Sequence, residues 1–266
     1  MIKKITLAFL ILISNAVYSQ GYFDGNELHC PTENKEAKRL FDAGIEIMHL
    51  NRSLTPKYLA ANAEIFARAI LQDTTFCDGY FFAGYILNLQ NKYRESFAFH
   101  KVADQKSPRP ILIYKINLAA ISMKVELYQD ARDAYQEIVK NFPENPEGYY
   151  GIGATSPMIG DYKIGLENII KAGNMYTDKD QLNQCQFIKG ILFALDGQYA
   201  EAKTTLEEVN GKYKRDLNFN IYYSLALLKL SKLNNDEEMK KKAKKFYDKI
   251  DDKRYIPANL VPELIF

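Results

Sequence analysis

The sequence of 266 residues has no tryptophan and contains only three histidines and three cysteines. The histidines, His29, His49 and His100, lie far apart in the chain and form no local motif. The chain also lacks HExxH, paired CxxC and GxSxG sequences, which are typical of zinc hydrolases, metal or redox sites and serine nucleophiles. Residues 151–153, Gly-Ile-Gly, lack the third glycine of a phosphate-binding loop. The sequence therefore predicts that the protein is not an enzyme and has neither a cofactor nor a metal site.

Charge of one sign is not in excess, because 35 lysines and arginines face 33 aspartates and glutamates. Residues 1–19 contain two lysines and no acid, so the balance without them is 33 against 33. A net charge near zero gives no electrostatic reason to expect nucleic acid or an anionic membrane as a partner. Five lysines do cluster in Lys240–Lys245, but acidic neighbours such as Glu237, Glu238 and Asp248 favour a solvated outer face of a terminal helix.

The first residues have the pattern of a signal peptide. Two lysines precede an apolar run from Ile5 to Ile13, and small residues follow. We expect cleavage after Ser19, which leaves Gln20 as the first residue of the mature chain. A retained membrane anchor is the alternative, but the run is shorter than the ~20 residues that a membrane-spanning helix needs. The prediction is an exported protein, periplasmic or secreted, with no membrane span in the mature chain.

Small residues recur along the chain at intervals of 35, 34, 37 and 36 residues. These anchors are Gly84, Ala119, Gly153, Gly190 and Ala226. Nine residues after each of the first four comes a tyrosine: Tyr93, Tyr128, Tyr162 and Tyr199. Twelve residues after them comes another small residue: Ser96, Ala131, Gly165 and Ala202. Four agreements of this kind indicate one repeated unit of about 34 residues.

This pattern of a small anchor, a later aromatic, a second small residue and a closing proline resembles the tetratricopeptide-repeat (TPR) family. The match covers most of residues 34–251, although Tyr80, Lys115, Tyr149 and Gln186 stand where the family has tryptophan. The resemblance implies an all-α fold, a right-handed α-solenoid of about six helix-turn-helix repeats. The small residues let paired helices approach closely, and the tyrosines fill the space beside each turn. Pro108 and Pro143 should end two of the second helices.

The organisation that follows has four parts. Residues 1–19 are the signal peptide, 20–33 an N-terminal segment, 34–254 the solenoid and 255–266 an apolar C-terminal tail with two prolines. We expect the apolar tail to pack against another apolar surface, because terminal repeats must cover an apolar face. Capping of the last helix pair, insertion into the protein's own groove and docking on a partner are the three alternatives.

In the TPR family the ligand-facing positions lie on the first helix of each pair, three and two residues before the anchor and one and four residues after it. In this sequence these positions give an aromatic and aliphatic groove formed by Phe81, Tyr85, Asn88, Ile116, Asn117, Tyr150, Phe187, Ile188, Ile191, Tyr223 and Leu227. Family members that grip a C-terminal carboxylate have cations at these positions, and here the cations are missing. The resemblance therefore favours a scaffold that binds an apolar segment of another protein, with Asn88 and Asn117 bonding to its backbone. The alternative is a carrier or sensor for a small apolar or sugar-like ligand. Some of these residues could equally be core between repeats.

The three cysteines must be interpreted for an oxidising compartment, and their odd number leaves at least one unpaired within the chain. In a stack of repeats the first helices run parallel, so the helix that begins near Asn34 should start beside the one that begins at Cys77. Cys30 precedes the former by one turn, which makes a Cys30–Cys77 disulfide geometrically reasonable. Two independent thiols are the alternative. Cys185 lies inside a first helix, where we expect a buried and inert side chain.

Overall fold

A computed structural model describes residues 28–50 and 55–266 of the chain. The predicted signal peptide and residues 20–27 of the predicted N-terminal segment lie outside the described residues. Within those ranges the chain forms twelve α-helices, arranged as six consecutive pairs, and no β-strand. The prediction of an all-α fold of about six helix pairs is therefore confirmed.

The chain divides into two compact units, with the boundary between Glu144 and Asn145. The N-terminal unit contains α1 Lys35–Leu50, α2 Pro56–Gln72, α3 Cys77–Leu89, α4 Tyr93–Lys106, α5 Leu112–Lys124 and α6 Tyr128–Asn141. The C-terminal unit contains α7 Pro146–Ile159, α8 Tyr162–Met175, α9 Lys179–Leu195, α10 Tyr199–Tyr213, α11 Leu217–Asn234 and α12 Glu237–Tyr247. Two short 3₁₀ turns, Lys253–Tyr255 and Pro262–Leu264, follow α12. Odd-numbered helices are the first members of their pairs.

The glycine anchors lie where the two helices of a pair come closest. A Cβ atom added to Gly153 on α7 would be 2.8 Å from Ile169 Cβ on α8, and one added to Gly190 on α9 would be 2.7 Å from Leu206 Cγ on α10. Both distances are too short for carbon atoms in contact. In each pair the facing side chain comes sixteen residues after the anchor. A larger residue at either anchor would therefore force the two helices apart.

The turns within four successive pairs share one conformation. A residue with positive φ stands two positions before the second helix, and these residues are Asn91 (59°), Glu126 (63°), Gly160 (93°) and Gly197 (80°). The next helix then begins in each case with the repeated tyrosine, half-buried beside the turn: Tyr93, Tyr128, Tyr162 and Tyr199. Asparagine and glycine tolerate the left-handed conformation well, and glutamate does not. Glu126 is thus the least favourable residue in this set of turns.

Two second helices end just before a proline. Helix α4 ends at Lys106, two residues before Pro108, and α6 ends at Asn141, two residues before Pro143. Proline cannot donate the backbone hydrogen bond of a helix interior, and it disfavours the helical conformation of the residue before it. These two prolines therefore account for where the helices stop.

Phenylalanines form the centre of the N-terminal unit. The ring of Phe41 on α1 lies 5.6 Å from Phe66 on α2, 5.2 Å from Phe82 on α3 and 5.0 Å from Phe76, centroid to centroid. All four side chains are buried. Because the cluster draws on the first three helices and the loop before α3, it holds the first pair onto the second.

The segment before α1 is attached to the start of α3. Cys30 and Cys77 form a disulfide, with their Cα atoms 5.7 Å apart. Beside it, the buried carboxylate of Asp78 accepts hydrogen bonds from the backbone N–H of Cys30 at 2.8 Å and from the hydroxyl of Tyr114 at 2.5 Å. Tyr114 belongs to α5, so this network joins the N-terminal segment to two first helices. Cys185 is a free, buried thiol.

The C-terminal tail packs on the last helix pair. Ile256, Leu260 and Leu264 are buried in the same cluster as side chains of α11 and α12. The Lys232 ammonium on α11 donates to the carbonyl oxygen of Ile265 at 3.1 Å. Of the three alternatives for the tail, the structure therefore has the one in which the tail covers the apolar face of the final pair.

Candidate binding surfaces

The eleven residues predicted to line a groove separate into two groups by exposure. Seven of them are buried, and each exposes at most 8% of its surface to solvent: Phe81, Ile116, Tyr150, Ile188, Ile191, Tyr223 and Leu227. These seven belong to the core, so they offer a ligand no accessible surface, and their assignment to a groove lining is corrected. Four are half-buried and can be touched from outside: Tyr85, Asn88, Asn117 and Phe187.

The physical reason is that side chains of neighbouring first helices fill the space between them. In the N-terminal unit the ring of Phe81 on α3 stacks on Tyr114 of α5, with centroids 4.6 Å apart and planes at 11°. In the C-terminal unit the preceding second helix also contributes to this burial, because the Tyr223 hydroxyl on α11 donates to Glu207 on α10 at 2.6 Å. The offset from the anchor identifies the right face of the helix. It does not identify how far the next helix covers that face.

The accessible surface of the N-terminal unit combines an aromatic ring with two amides. Tyr85 and Asn88 lie on one face of α3, three residues apart, and Asn117 lies on α5. The amide nitrogen of Asn117 donates to the carbonyl oxygen of Ile113 in its own helix at 2.8 Å. That contact leaves the amide oxygen of Asn117 available as an acceptor.

This surface also carries a cation that the sequence analysis missed. The ammonium of Lys124, at the end of α5, donates to Asn88 Oδ1 at 3.0 Å and lies 5.1 Å from the centroid of the Tyr93 ring. Burial lowers the pKa of Lys124. The family's ligand-facing positions carry no cation in this sequence, but a cation reaches the same surface from outside them. Lys124 comes five residues after the anchor Ala119, one residue beyond the last family position, which is why the offset rule did not find it.

The accessible surface of the C-terminal unit centres on Phe187 of α9. Its ring stacks on Tyr213 of α10, with centroids 4.3 Å apart and planes at 11°, and lies 6.5 Å from the buried ring of Phe219 on α11. Desolvation, with the nearby carboxylate of Asp180, raises the pKa of Tyr213 to about 12. Charged side chains flank the rings, because the Lys212 ammonium lies 5.7 Å from the centroid of the Tyr213 ring and pairs with the Asp180 carboxylate at 2.6 Å. The result is an aromatic patch with hydrogen-bonding groups at its edge.

No protein-family model and no curated protein matches the sequence at a significant level. Several solved structures do match. A tetratricopeptide repeat protein from Parabacteroides merdae aligns with a TM-score of 0.58 at 13% identity, over 86% of this chain and 99% of that chain. YrrB, a TPR protein with an unusual peptide-binding site, aligns with a TM-score of 0.52 at 18% identity, over 75% and 100%. MamA from Desulfovibrio magneticus aligns with a TM-score of 0.57 at 12% identity, over 68% and 96%. The fold is that of TPR proteins. At these identities the similarity concerns the fold alone.

A pocket in the TPR fold lies away from the predicted groove positions. It is in the N-terminal unit, has a volume of about 230 Å³ and is lined by Ala63, Ala67, Ala83, Leu87, Lys92, Glu95 and Phe99. Two of its residues come from α2 and three from α4 or the turn before it, so second helices supply most of its wall. Phe99 is its single aromatic residue. This pocket shares no residue with the predicted groove.

Two buried titratable side chains have pKa values far from neutral. His100 on α4 is 2% exposed, and burial lowers its pKa to about 3. Burial, with the Glu147 carboxylate, raises the pKa of the Cys185 thiol to about 12. The described residues contain no group of three or more histidine, cysteine or acidic side chains arranged to hold a metal ion. None of the helices in the described ranges is long and apolar enough to cross a membrane.

Proposed function

We propose that this protein is a non-enzymatic scaffold that binds a segment of another polypeptide on the first helices of its TPR pairs. The observation that carries the proposal is the position of Phe187. Its ring is half-buried and stacked on Tyr213, which is flanked by the Lys212–Asp180 ion pair. Such a ring offers a large apolar surface at little entropic cost, since stacking already holds it in place. The peptide-binding site of YrrB, which has the same fold, is consistent with this use.

On the N-terminal unit the partner would meet a more polar surface. Tyr85 supplies an apolar ring, and Asn88, Asn117 and Lys124 supply donors and an acceptor for a peptide backbone. Lys124 adds a positive charge, which favours a segment with a carboxylate at this point. Each unit is proposed to contribute its own part of the recognition.

We also propose that the protein is exported and acts in the periplasm or outside the cell. The support is the signal-peptide pattern of residues 1–19 together with the Cys30–Cys77 disulfide, since disulfides persist in oxidising compartments. Mass spectrometry of the protein isolated from its source should find Gln20 as the first residue. An intact Met1 would contradict export by cleavage.

The test of polypeptide binding is recovery of partners from the cell envelope with tagged protein. Tyr85→Ser and Phe187→Ser should each reduce recovery of the same polypeptide at least fivefold. Leu71→Ser on α2 and Ile164→Ser on α8 are matched controls, because both side chains are exposed and lie on second helices of the same two units. Full recovery with folded Tyr85→Ser and Phe187→Ser would contradict the proposal.

The alternative of a small-molecule carrier would need an enclosed pocket with several aromatic side chains. The 230 Å³ pocket has one aromatic residue and three alanines. The half-buried rings, Tyr85 and Phe187, lie instead on open helix surfaces. These features favour the polypeptide scaffold.

A further inference from the structure

Three lysines near the end of the C-terminal unit have ammonium groups with no acidic partner. They are Lys214, directly after α10, Lys245 on α12 and Lys249, two residues after α12. All three side chains are exposed. No carboxylate among the described residues lies within 4.0 Å of their ammonium groups.

The register of α10 and α12 brings the three together. The Lys242 ammonium on α12 pairs with the Glu207 carboxylate on α10 at 2.9 Å. Both are second helices and run in the same direction. Lys214 follows Glu207 by seven residues, and Lys249 follows Lys242 by seven residues, which is about two helical turns in each case. The residues at the helix ends, Lys214 and Asp248, keep helical backbone angles, so the register extends to this point.

Lys245 completes the group, because it lies on α12 four residues, about one helical turn, before Lys249. Desolvation, followed by the positive charges of Lys245 and Lys214, lowers the pKa of Lys249. The Lys249 ammonium also lies 3.9 Å from the centroid of the Phe246 ring, which restricts where it can turn. The positive charges of Lys245 and Lys214 therefore act on the Lys249 ammonium.

The neighbouring lysines differ in this respect. Lys240 and Lys241 pair with Glu237 and Glu238, and Lys244 pairs with Asp248 at 3.1 Å. Their charges are neutralised on the protein itself. The lysine-rich stretch is thus a solvated outer face in its first part, as the sequence predicts, and an uncompensated cationic site only at Lys245 and beyond.

We propose that Lys214, Lys245 and Lys249 form a second binding site, for an acidic segment of a polypeptide partner. Three ammonium groups in one place attract clustered carboxylates, and binding would relieve their mutual repulsion. The site lies at the ends of second helices and shares no residue with the aromatic patch around Phe187, although Lys214 directly follows Tyr213, on which the Phe187 ring stacks. Its recognition uses ammonium groups, so it can be tested separately from the aromatic binding proposed above.

The surroundings favour a discrete acidic segment over an extended anionic surface. Asp248, Asp251 and Asp252 are within a few residues of Lys249, and residues 236–266 contain eight lysines and arginines against seven acids. A flat anionic membrane would meet these acids together with the lysines. A polypeptide with a few adjacent glutamates or aspartates can contact the lysines and avoid the acids.

The test uses the full mature chain and fluorescent peptides of eight glutamates or eight glutamines, followed by fluorescence anisotropy at low ionic strength. Wild-type protein should bind the glutamate peptide and not the glutamine peptide. The triple variant Lys214→Gln, Lys245→Gln, Lys249→Gln should bind the glutamate peptide at least tenfold more weakly. Arginine at the same three positions should restore binding, which separates loss of charge from loss of fold.

The matched control is Lys240→Gln, Lys241→Gln, Lys244→Gln, which removes the same number of charges from the acid-paired lysines. Its affinity for the glutamate peptide should change less than twofold. Equal weakening in the two triple variants would overturn the proposal, because it would show a general charge effect. Absence of glutamate-peptide binding by wild type, or tighter binding to vesicles of anionic phospholipid that depends on the same three lysines, would also overturn it.

Discussion

The hydroxyl of Ser96 on α4 donates a hydrogen bond to the carbonyl oxygen of Gly84 on α3, 2.8 Å away. Both residues are buried, and they are the first and second small residues of one repeat. A side-chain hydroxyl can reach the backbone of the paired helix only when the two helices are very close. Close approach of paired helices at small residues is therefore the packing rule of this protein.

Gly190→Ala should destabilise the protein by about 1–3 kcal/mol, although alanine is the better helix former by roughly 1 kcal/mol. The added Cβ would lie 2.7 Å from Leu206 Cγ, so the helices or the leucine must move. Gly211→Ala on α10 is the control, because nothing lies within 4 Å of its added Cβ. It should stabilise the protein by ~0.5–1 kcal/mol. Urea unfolding of both variants measures the difference, and equal effects would contradict the packing rule.

Glu126→Gly should stabilise the protein by about 1 kcal/mol, because glutamate at φ 63° is sterically strained in the left-handed conformation and glycine is not. Gly197→Ala, in the corresponding turn of the C-terminal unit, should have the opposite effect of similar size. Its φ is 80°, and nothing else crowds its Cβ position. Thermal unfolding of the two variants measures both effects. A loss of stability in Glu126→Gly would show that the glutamate side chain makes a compensating contact.

His100→Leu should reduce the loss of stability in mild acid. The unfolded chain takes up a proton at His100 below pH 6.5, whereas the folded protein does so only near its lowered pKa of about 3. The unfolded state therefore binds more protons between these values, and wild-type stability falls as the pH falls through this window.

Leucine removes this proton uptake and also the buried Nδ1, which has no hydrogen-bond partner among the described residues. Leucine already packs against the glycine anchor at the equivalent position, Leu206 beside Gly190. The stability difference between variant and wild type should grow by about 2 kcal/mol from pH 7 to pH 5. Parallel pH profiles in denaturant unfolding would contradict the burial of a neutral histidine.

Removal of the Cys30–Cys77 disulfide by paired serine substitution should cost about 2–4 kcal/mol, because the bond closes a long loop in the unfolded chain. Hydrogen exchange should become faster at the backbone N–H of residue 30, which donates to Asp78 in the native protein. Mass spectrometry of unreduced native protein provides the direct check of the bond. Alkylation of three thiols in unfolded, unreduced protein would contradict the disulfide.

The repeat made much of the fold predictable, because the residues that determine helix pairing are of unusual types at fixed spacing. Gly153 and Gly190 could be identified as contact points, since only small residues allow such an approach, whereas the structure was needed to show that the side chains sixteen residues later face them. The ends of α4 and α6 could be located from Pro108 and Pro143.

The binding surface was less predictable, because exposure depends on neighbouring helices that are distant in sequence. Phe81 and Tyr85 occupy the same face of α3, yet Tyr114 covers the first and leaves the second half-exposed. Lys124 reaches this surface through a long side chain that no fixed offset includes. The lysine site could not be predicted either, since it requires the register of α10 against α12.

Site-specific photo-crosslinking in the living source cell tests polypeptide binding most directly. A photoreactive phenylalanine analogue at position 85 or 187 should form a covalent adduct with the same partner polypeptide, because both positions present half-exposed rings on first helices. The analogue at position 71 or 164, on exposed second-helix surfaces of the same units, should form no such adduct. Adducts from 71 and 164 with none from 85 and 187 would contradict the account.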